Sequence, residues 1–490
     1  MHKILLRIFK LKGRNPFLFF YEPYSSYKLG QMSLGAVLFL LAISIIAFGV
    51  GFNISKFSPL AVIGLLAAIA VGLVTLVNTN FALVILIFSM LLSPEIGGAG
   101  VGAGERGVSL RIEDFLIIAV FFVWLTKITI NKELGLVRKT PLNGPIFLYI
   151  ATNIFCTALG IGAGNVNIKN GFFYMMKYIE FFMIYFLFVN NLNEMRQLKI
   201  FLFCFLLTSF IIGTYTYSQM GSSDRPSAPF EGEHTEPNTL AAYLLLCLSV
   251  TLGIFLFREF SVTKTILAGL FCFNIYPLLL TLSRSAYLGF IFSYLSITFM
   301  SKRAKLFLFT VLAMSILFVP LIAPKKTIDR IRYTFAGKEE IATALDLGIK
   351  LDKSATARVN SWLYAFGKLK ERPLFGHGVT GIRFIDGQYA RSLAELGLIG
   401  FFPLLWLIFA VLKNCWQIYH NVYDNFSLGL SLGFLCGFIG LLIVGFGANI
   451  FVIVRISEPM WFLAACVMVL PEIEKISLPP TNLEEKLAYQ

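Results

Sequence analysis

A chain of 490 residues that is 57% hydrophobic and only 14% charged, with 50 phenylalanines, is too apolar to fold as a set of soluble domains. Its seven cysteines show neither a disulfide framework nor a C-x-x-C metal spacing, which excludes a small disulfide-stabilised secreted protein. The net charge of +14 does not indicate nucleic-acid binding, because no soluble segment interleaves basic residues with stacking aromatic residues. The composition predicts an all-α polytopic membrane bundle.

Apolar runs along the chain predict about fourteen membrane-spanning helices. Most of these runs are long enough to cross a hydrocarbon core of about 30 Å as helices. The run at 80–93 is short and the run at 170–190 carries charged residues, so these two positions leave the count open. In chain order the runs are 33–52, 59–78, 80–93, 111–130, 142–162, 170–190, 197–218, 237–257, 262–281, 284–300, 305–323, 386–412, 426–447 and 450–470.

The basic residues predict the orientation and the domain boundaries. With a cytoplasmic N-terminus, twenty lysines and arginines fall in inner segments, and six fall in the short outer loops and their flanks. We therefore expect a basic cytoplasmic N-terminus at 1–32 and a bundle of about eleven spans at 33–323. A long extracytoplasmic loop at 324–385, about three more spans at 386–470 and a cytoplasmic tail at 471–490 complete the chain.

The loop at 324–385 is strongly basic, and long loops escape the charge rule that orients membrane proteins. Its excess of lysine and arginine favours contact with an anionic ligand or an anionic lipid surface. Within the loop, residues 356–370 place Trp362 and Phe366 at helical spacing, and Pro373 follows. We expect an amphipathic helix here, lying on the outer leaflet or on the bundle.

Three polar segments each precede a predicted span on the outer side, and each contains an arginine. These arginines are Arg225, Arg284 and Arg383. A helix N-terminus offers free backbone N–H groups and a partial positive charge, and arginine adds bidentate contacts to an oxyanion. The three segments therefore predict a site for phosphate.

Helix capping is the alternative interpretation of the same segments. Ser283, Thr235 and Asp386 are all good N-cap residues, and Pro237 is typical of a first helical turn. A cap does not require an arginine, however. The arginines therefore favour a functional role, with a salt bridge that anchors a loop as the alternative.

Two histidines are candidates for chemistry. His377 lies in a glycine-flanked turn, where its ring is either a base or simply exposed to water. His234 lies between Glu233 and Glu236, but one histidine with mobile acids makes a weak metal site. The sequence predicts no metal centre.

Two pairs of charged residues fall inside predicted spans. Lys177 with Glu180 and Arg455 with Glu458 each have the i,i+3 spacing that allows mutual neutralisation on one helix. We interpret both as structural pairs, with a functional intramembrane site as the alternative.

Four motifs in order resemble those of the bacterial O-antigen polymerases and O-antigen ligases, which are polytopic glycosyltransferases that use undecaprenyl-diphosphate-linked glycans. Together the motifs cover residues 220–405. They are Arg225-Pro-Ser-Ala-Pro-Phe followed by Pro237-Asn238, then Ser283-Arg284-Ser285-Ala286, Arg358 with Trp362, and Pro373-Leu-Phe-Gly376-His-Gly378.

The resemblance implies an all-helical membrane bundle without a metal or other cofactor. The family's outer arginines are thought to hold the substrate diphosphate, a role that corresponds here to Arg225 and Arg284. We expect Arg383 and Arg358 to contribute to the same anion site. The implied donor is an undecaprenyl-diphosphate-linked oligosaccharide, used at the outer, periplasmic face of the bacterial inner membrane.

One position departs from the ligase pattern. Ligases carry H-[NSQ]-x9-G-x-x-G, whose histidine is the proposed base, whereas this chain has Asp386-Gly387, nine residues, and then Gly397-Leu-Ile-Gly400. A carboxylate still accepts a proton, and members with Asp here resemble polymerases of surface or secreted polysaccharide. We predict Asp386 as the base, with Glu233, Glu236 or His377 as substitutes.

The resemblance favours a polymerase of O-antigen or exopolysaccharide repeat units, with a ligase that transfers the glycan to lipid A core as the alternative. The acceptor is then a growing glycan or the lipid A core, and a chain-length regulator protein is a candidate partner. A transporter of lipid-linked oligosaccharides is the rival from another class, but it gives no reason for arginines on one face. A membrane scaffold would not need the arginine motifs either.

Overall fold

The computed structural model of the chain describes residues 59–101, 108–130, 137–220, 225–231, 236–322, 327–329, 339–340, 350–351 and 353–477. Within these ranges the protein is almost entirely helical, which confirms the predicted all-α class. The predicted run at 33–52 and the residues Glu233, His234 and Thr235 lie outside the described residues.

The described elements follow the predicted runs closely. Two short antiparallel hairpins interrupt the helices; they pair β1 (Glu95–Val101) with β2 (Val108–Arg111) and β3 (Glu339–Glu340) with β4 (Lys350–Leu351). The helices are α1 (Pro59–Val77), α2 (Thr79–Leu92), α3 (Ile112–Ile130), α4 (Asn143–Gly162), α5 (Ile168–Asn191), α6 (Met195–Ser218), α7 (Pro237–Phe257), α8 (Val262–Leu280), α9 (Arg284–Met300), α10 (Lys305–Ile322), α11 (Lys353–Glu371), α12 (Gln388–Asn421), α13 (Asn425–Val444), α14 (Val454–Met468) and α15 (Leu470–Ser477).

Seven described helices are long and apolar enough to cross a membrane, namely α4, α5, α6, α7, α8, α12 and α13. The pair α14 and α15, bent by 41°, makes an eighth if it forms one span. Shorter apolar helices lie within α1, α2 and α10. The multi-pass bundle is therefore confirmed, whereas the expected count of about fourteen spans is not.

The centre of the bundle is α7, which packs against α13 over a stripe of small residues. A Cβ atom added to Gly253 of α7 would lie 2.4 Å from the Gly429 carbonyl oxygen of α13. One placed on Gly289 of α9 would lie 2.6 Å from the Gly440 carbonyl oxygen. Such distances leave no room for a side chain, so glycine lets the three helix backbones pack closely. This glycine stripe was not predicted.

The predicted amphipathic helix is present as α11, and it packs on the bundle. Its buried Ala365 clusters with Ala390 and Ala394 of α12. Its Trp362 ring lies 6.4 Å from the Phe446 ring, in the segment that follows α13. The helix therefore holds the start of α12 and the end of α13 together.

Helix α12 is broken at Gly397, whose φ of 59° is left-handed. The break is filled by the preceding segment, residues 373–378. Two of its N–H groups donate to the carbonyls of residues 394 and 395, and two of its carbonyls accept from the N–H groups of residues 398 and 399. The polar backbone groups freed by the break are thus satisfied within the protein, as a membrane-embedded chain requires.

Candidate functional site

The loop at residues 225–231, which we call the arginine loop, is connected to the start of two helices. Arg225 donates from Nε to the Thr281 carbonyl oxygen at 3.1 Å and from a terminal nitrogen to Asn238 Oδ1 at 3.5 Å. The Ser283 hydroxyl donates to the same Asn238 oxygen at 2.8 Å. Asn238, the second residue of α7, therefore joins the first two sequence motifs into one structure.

Ser283 does not cap α9, although it occupies the N-cap position. Its hydroxyl accepts no backbone N–H of the first helical turn; it donates to Asn238 and lies 3.4 Å from the Ser285 hydroxyl. The capping interpretation of Ser283 is therefore wrong. Arg284 follows as the first residue of α9 and is half-buried. An arginine thus stands beside a helix N-terminus that no side chain caps.

The end of α13 lies beside the start of α9. Gly289 contacts Val444, and Ser293, one turn later, contacts Gly440, so the two helices run antiparallel. Arg284 lies about 7.5 Å before Gly289 along α9, which places it level with the segment just after Val444. We call this end of the bundle, where α7, α9 and α12 begin and α13 ends, the arginine end.

Arg358 reaches the arginine end from α11. A Cβ atom on Gly447 would lie 2.8 Å from Arg358 Nε and 2.9 Å from its Cζ, so the guanidinium group rests directly on this glycine. The neighbouring Phe446 packs against Trp362 and, with ring centroids 4.8 Å apart, against Tyr389 of α12. The motif formed by Arg358 and Trp362 therefore packs α11 against the segment after α13.

Asp386 lies at the same end and is exposed. It is not the N-cap of α12, because the helix begins at Gln388 and its cap residue is Gly387, with φ of 104° and no side-chain cap bond. No hydrogen bond or ion pair joins the Asp386 carboxylate to another described residue. The capping interpretation of Asp386 is therefore wrong. Its side chain is exposed, and the next residue, Gly387, contacts the Phe446 carbonyl.

Arg383 is exposed and stacks on an aromatic ring of α11. Its Cζ lies 4.2 Å from the centroid of the Tyr364 ring, which is a close cation–π contact. This contact holds the guanidinium group near α11. The role of Arg383 in anion binding stays a prediction.

His377 is buried, with only 6% of its surface exposed, so the expectation of a water-exposed turn histidine is wrong. Its Nε2 lies 3.1 Å from the Lys368 carbonyl oxygen, near the end of α11. A carbonyl oxygen only accepts, so Nε2 carries the proton and donates it. The ring therefore stabilises the end of α11, and Nε2 in this tautomer is not a base.

A cluster of buried charged residues extends from the arginine end into the bundle. Lys177 of α5 contacts Asp114 of α3 and lies 3.1 Å from Glu180, which confirms the predicted Lys177–Glu180 pair. The cluster also includes charged residues of β2, α3, α14 and the arginine loop: Arg111, Glu113, Glu231, Arg455 and Glu458. The sequence signal for this cluster was the presence of charged residues within apolar runs. Local spacing did not predict which of these residues contact one another.

The predicted pairing of Arg455 with Glu458 is wrong, because no ion pair joins these two residues in the described part of the chain. Arg455 instead lies 3.7 Å from Glu231 in the arginine loop. Burial raises the pKa of Glu231 to about 7, and the charge of Arg455 opposes this rise. The arginine therefore bridges two elements rather than neutralising its own helix.

No group of three or more His, Cys, Asp or Glu side chains in the described part of the chain is arranged to hold a metal ion. Residues 268–405 match the family model described as O-antigen ligase. The match covers the motifs around Ser283, Arg358, Gly376 and Asp386, whereas the arginine loop precedes it. No curated protein matches the chain.

Proposed function

From the O-antigen ligase domain at residues 268–405, which is consistent with the O-antigen ligase and polymerase superfamily, we propose that the protein is a membrane glycosyltransferase that polymerises lipid-diphosphate-linked oligosaccharide units. The reaction takes place on the outer face of the bacterial cytoplasmic membrane. The observation that supports this most is the convergence at the arginine end of Arg225, Arg284 and Arg358, three helix N-termini without side-chain cap bonds, and the exposed carboxylate of Asp386.

The donor diphosphate binds between Arg225 and Arg284. Arg225 is oriented by Thr281 and Asn238, and Arg284 lies at the start of α9, where no side chain caps the first turn. Guanidinium groups and the helix N-terminus stabilise the negative charge that develops on the leaving diphosphate. Arg358 and Arg383 extend the same positive surface from the side of α11.

Asp386 accepts the proton of the acceptor hydroxyl. The hydroxyl oxygen attacks the anomeric carbon of the donor sugar, the bond from that carbon to the diphosphate breaks, and the diphosphate leaves with the bonding electrons. The carboxylate is suited to this task because it is exposed and not used as a helix cap. Glu233 and Glu236 remain substitutes as bases, and no metal ion is required.

The aspartate at 386 favours polymerisation over transfer to lipid A core, since ligases have histidine in this register. The acceptor is then a growing glycan, and a chain-length regulator protein is a candidate partner. Because the matching family model is described as O-antigen ligase, lipid A core is the alternative acceptor.

The test is an assay of purified protein in proteoliposomes with lipid-linked repeat units, alone or with lipid A core, in the presence of EDTA. A ladder of polymer supports a polymerase, transfer to the core supports a ligase, and the absence of any covalent product contradicts a glycosyltransferase. In the active case, Arg225→Ala and Arg284→Ala should each reduce product formation about 100-fold or more while the protein still inserts. Normal product formation in either variant would remove that arginine from the donor site.

A further inference from the structure

Arg455 has no part in the proposed chemistry, yet it is one of the most buried side chains, with 1% of its surface exposed. One of its terminal nitrogens donates to the Phe230 carbonyl oxygen at 3.2 Å and to the Ser93 carbonyl oxygen at 3.3 Å. The other lies 3.7 Å from a Glu231 carboxylate oxygen. Burial of a guanidinium group is costly, so these contacts need a reason beyond packing.

All of these contacts act on the last residues of the arginine loop or on the end of α2. Phe230 has a left-handed φ of 58°, which costs a non-glycine residue about 1 kcal/mol or more and persists only where the surroundings hold it. The Arg455 bond to its carbonyl is such a restraint. Ser93, which follows α2, supplies the fixed point against which the loop is held.

Glu231 transmits this restraint to the start of α7. Its second carboxylate oxygen accepts the Glu236 N–H at 2.8 Å, one residue before the helix. Two residues further on, Asn238 binds Arg225 and Ser283. The loop is thus held at its beginning through Arg225 and at its end through Arg455, and both attachments meet at the first turn of α7.

We propose that Arg455, together with Glu231, is a positioning residue that fixes the conformation in which Arg225 binds the donor diphosphate. The inference rests on the proposed function, because it assumes that Arg225 contacts the donor. Arg455 itself does not contact the substrate. Its effect is transmitted by Phe230, Glu231 and the first turn of α7.

The chain contains a matched control for this arginine. Arg138 also pairs with a glutamate, Glu472 at 2.9 Å, and also donates to two backbone carbonyls, those of Val189 at 3.0 Å and Leu192 at 2.9 Å. Its partners lie at the ends of α5 and α15, away from the arginine loop. Arg138→Lys therefore removes the same kind of bridge without touching the loop.

The experiment compares Arg455→Lys and Glu231→Gln with Arg138→Lys in the proteoliposome assay. Lysine keeps the charge but presents it as a single point, so it cannot span both carbonyls and the carboxylate. We expect the KM for the lipid-linked donor to rise about 10-fold in Arg455→Lys and in Glu231→Gln, and to change less than about 2-fold in Arg138→Lys. The melting temperature of each variant is measured on the same preparations, so that a change in KM is taken only from folded protein.

A second arm tests whether Arg455 acts through Arg225. In an Arg225→Lys background, Arg455→Lys should add less than about 2-fold to the donor KM, because residues in one network are not additive. The inference would be overturned if the fold-increases in donor KM caused by Arg225→Lys and Arg455→Lys multiplied in the double variant. It would also be overturned if both Arg455→Lys and Glu231→Gln kept the donor KM of the wild type. A wild-type protein that forms no glycan product would overturn the proposed function and the inference with it. If Arg455→Lys does not fold, Glu231→Gln decides the question by the same criteria.

Discussion

Gly376 and Gly397 lie backbone to backbone: a Cβ atom on Gly397 would fall 2.6 Å from the Gly376 nitrogen, and one on Gly376 would fall 2.5 Å from the Gly397 nitrogen. Both glycines have left-handed φ values, 65° and 59°. The two glycine motifs of the sequence are therefore two halves of one contact, in which the segment before α12 fills the break within α12. This contact holds the middle of α12 against the segment that precedes it, whereas the start of α12 is held by the Gln388 N–H, which donates to the carbonyls of Gly445 and Ala448.

The first prediction concerns this contact. Gly376→Ala should destabilise the protein by about 3 kcal/mol or more, because the new methyl group would meet the Glu395 carbonyl at 2.4 Å and alanine disfavours the backbone angle. Gly367→Ala is the matched control, since nothing lies within 4 Å of a Cβ atom there. It should change stability by no more than about 1 kcal/mol. Thermal unfolding in detergent measures both, and equal melting temperatures would contradict the contact.

A second prediction separates structure from catalysis at His377. His377→Gln should keep activity within about 3-fold of wild type, because the glutamine amide N–H can replace the ring N–H that donates to Lys368. His377→Ala should lose about 1 to 3 kcal/mol of stability, since that carbonyl then lacks its donor. Activity and melting temperature are measured on the same preparations. Loss of activity in His377→Gln with an unchanged melting temperature would make the ring catalytic.

The third prediction tests the proposed base. Asp386→Asn should reduce kcat about 100-fold or more, since an amide cannot accept the proton. The melting temperature should not change, because the side chain caps no helix and is exposed. Single-turnover product formation and thermal unfolding measure the two quantities. An active Asp386→Asn protein would transfer the role of base to another carboxylate.

The fourth prediction is a pH dependence at Glu231. Burial raises the pKa of this carboxyl from 4.5 to about 7, opposed by Arg455, by the Glu236 N–H and by Arg111, while the Glu236 charge adds to the rise. Between these pH values the native state holds a proton that the unfolded chain releases. This contribution to stability is complete below pH 4.5 and is lost as the pH rises through about 7, a change of about 3 kcal/mol.

Glu231→Gln removes this titration, because the amide stays neutral at every pH. The melting temperature of the variant minus that of wild type should therefore increase as the pH rises from 5 to 8, a range that brackets the pKa of about 7. A difference between Glu231→Gln and wild type that is constant with pH would contradict the buried carboxyl.

Hydropathy predicted the helices well, because a membrane span requires a long apolar run whatever its neighbours are. The run at 237–257 coincides with α7, and the amphipathic pattern at 356–370 falls within α11. Of the predicted runs, only 33–52 falls outside the described residues. The count of spans was harder to predict, since a helix such as α2 is apolar but short.

Contacts across the bundle were not predictable from local spacing. Arg455 was paired with Glu458 because both lie on one helix, but its side chain reaches Glu231 in a loop more than 200 residues away in sequence. Asn238 joins Arg225 to Ser283 by contacts that no periodicity indicates. The glycine stripe of α13 was visible in the sequence, but its importance depends on which helix lies against it.

The central claim is that the arginine end transfers glycans from a lipid diphosphate. The most direct measurement is product formation by purified protein in proteoliposomes that contain lipid-linked repeat units, with Arg284→Ala as the comparison. The account predicts glycan products longer than one repeat unit from the wild type and about 100-fold less from Arg284→Ala at equal protein insertion. Undiminished product from Arg284→Ala, or only unlinked repeat units from the wild type, would contradict it.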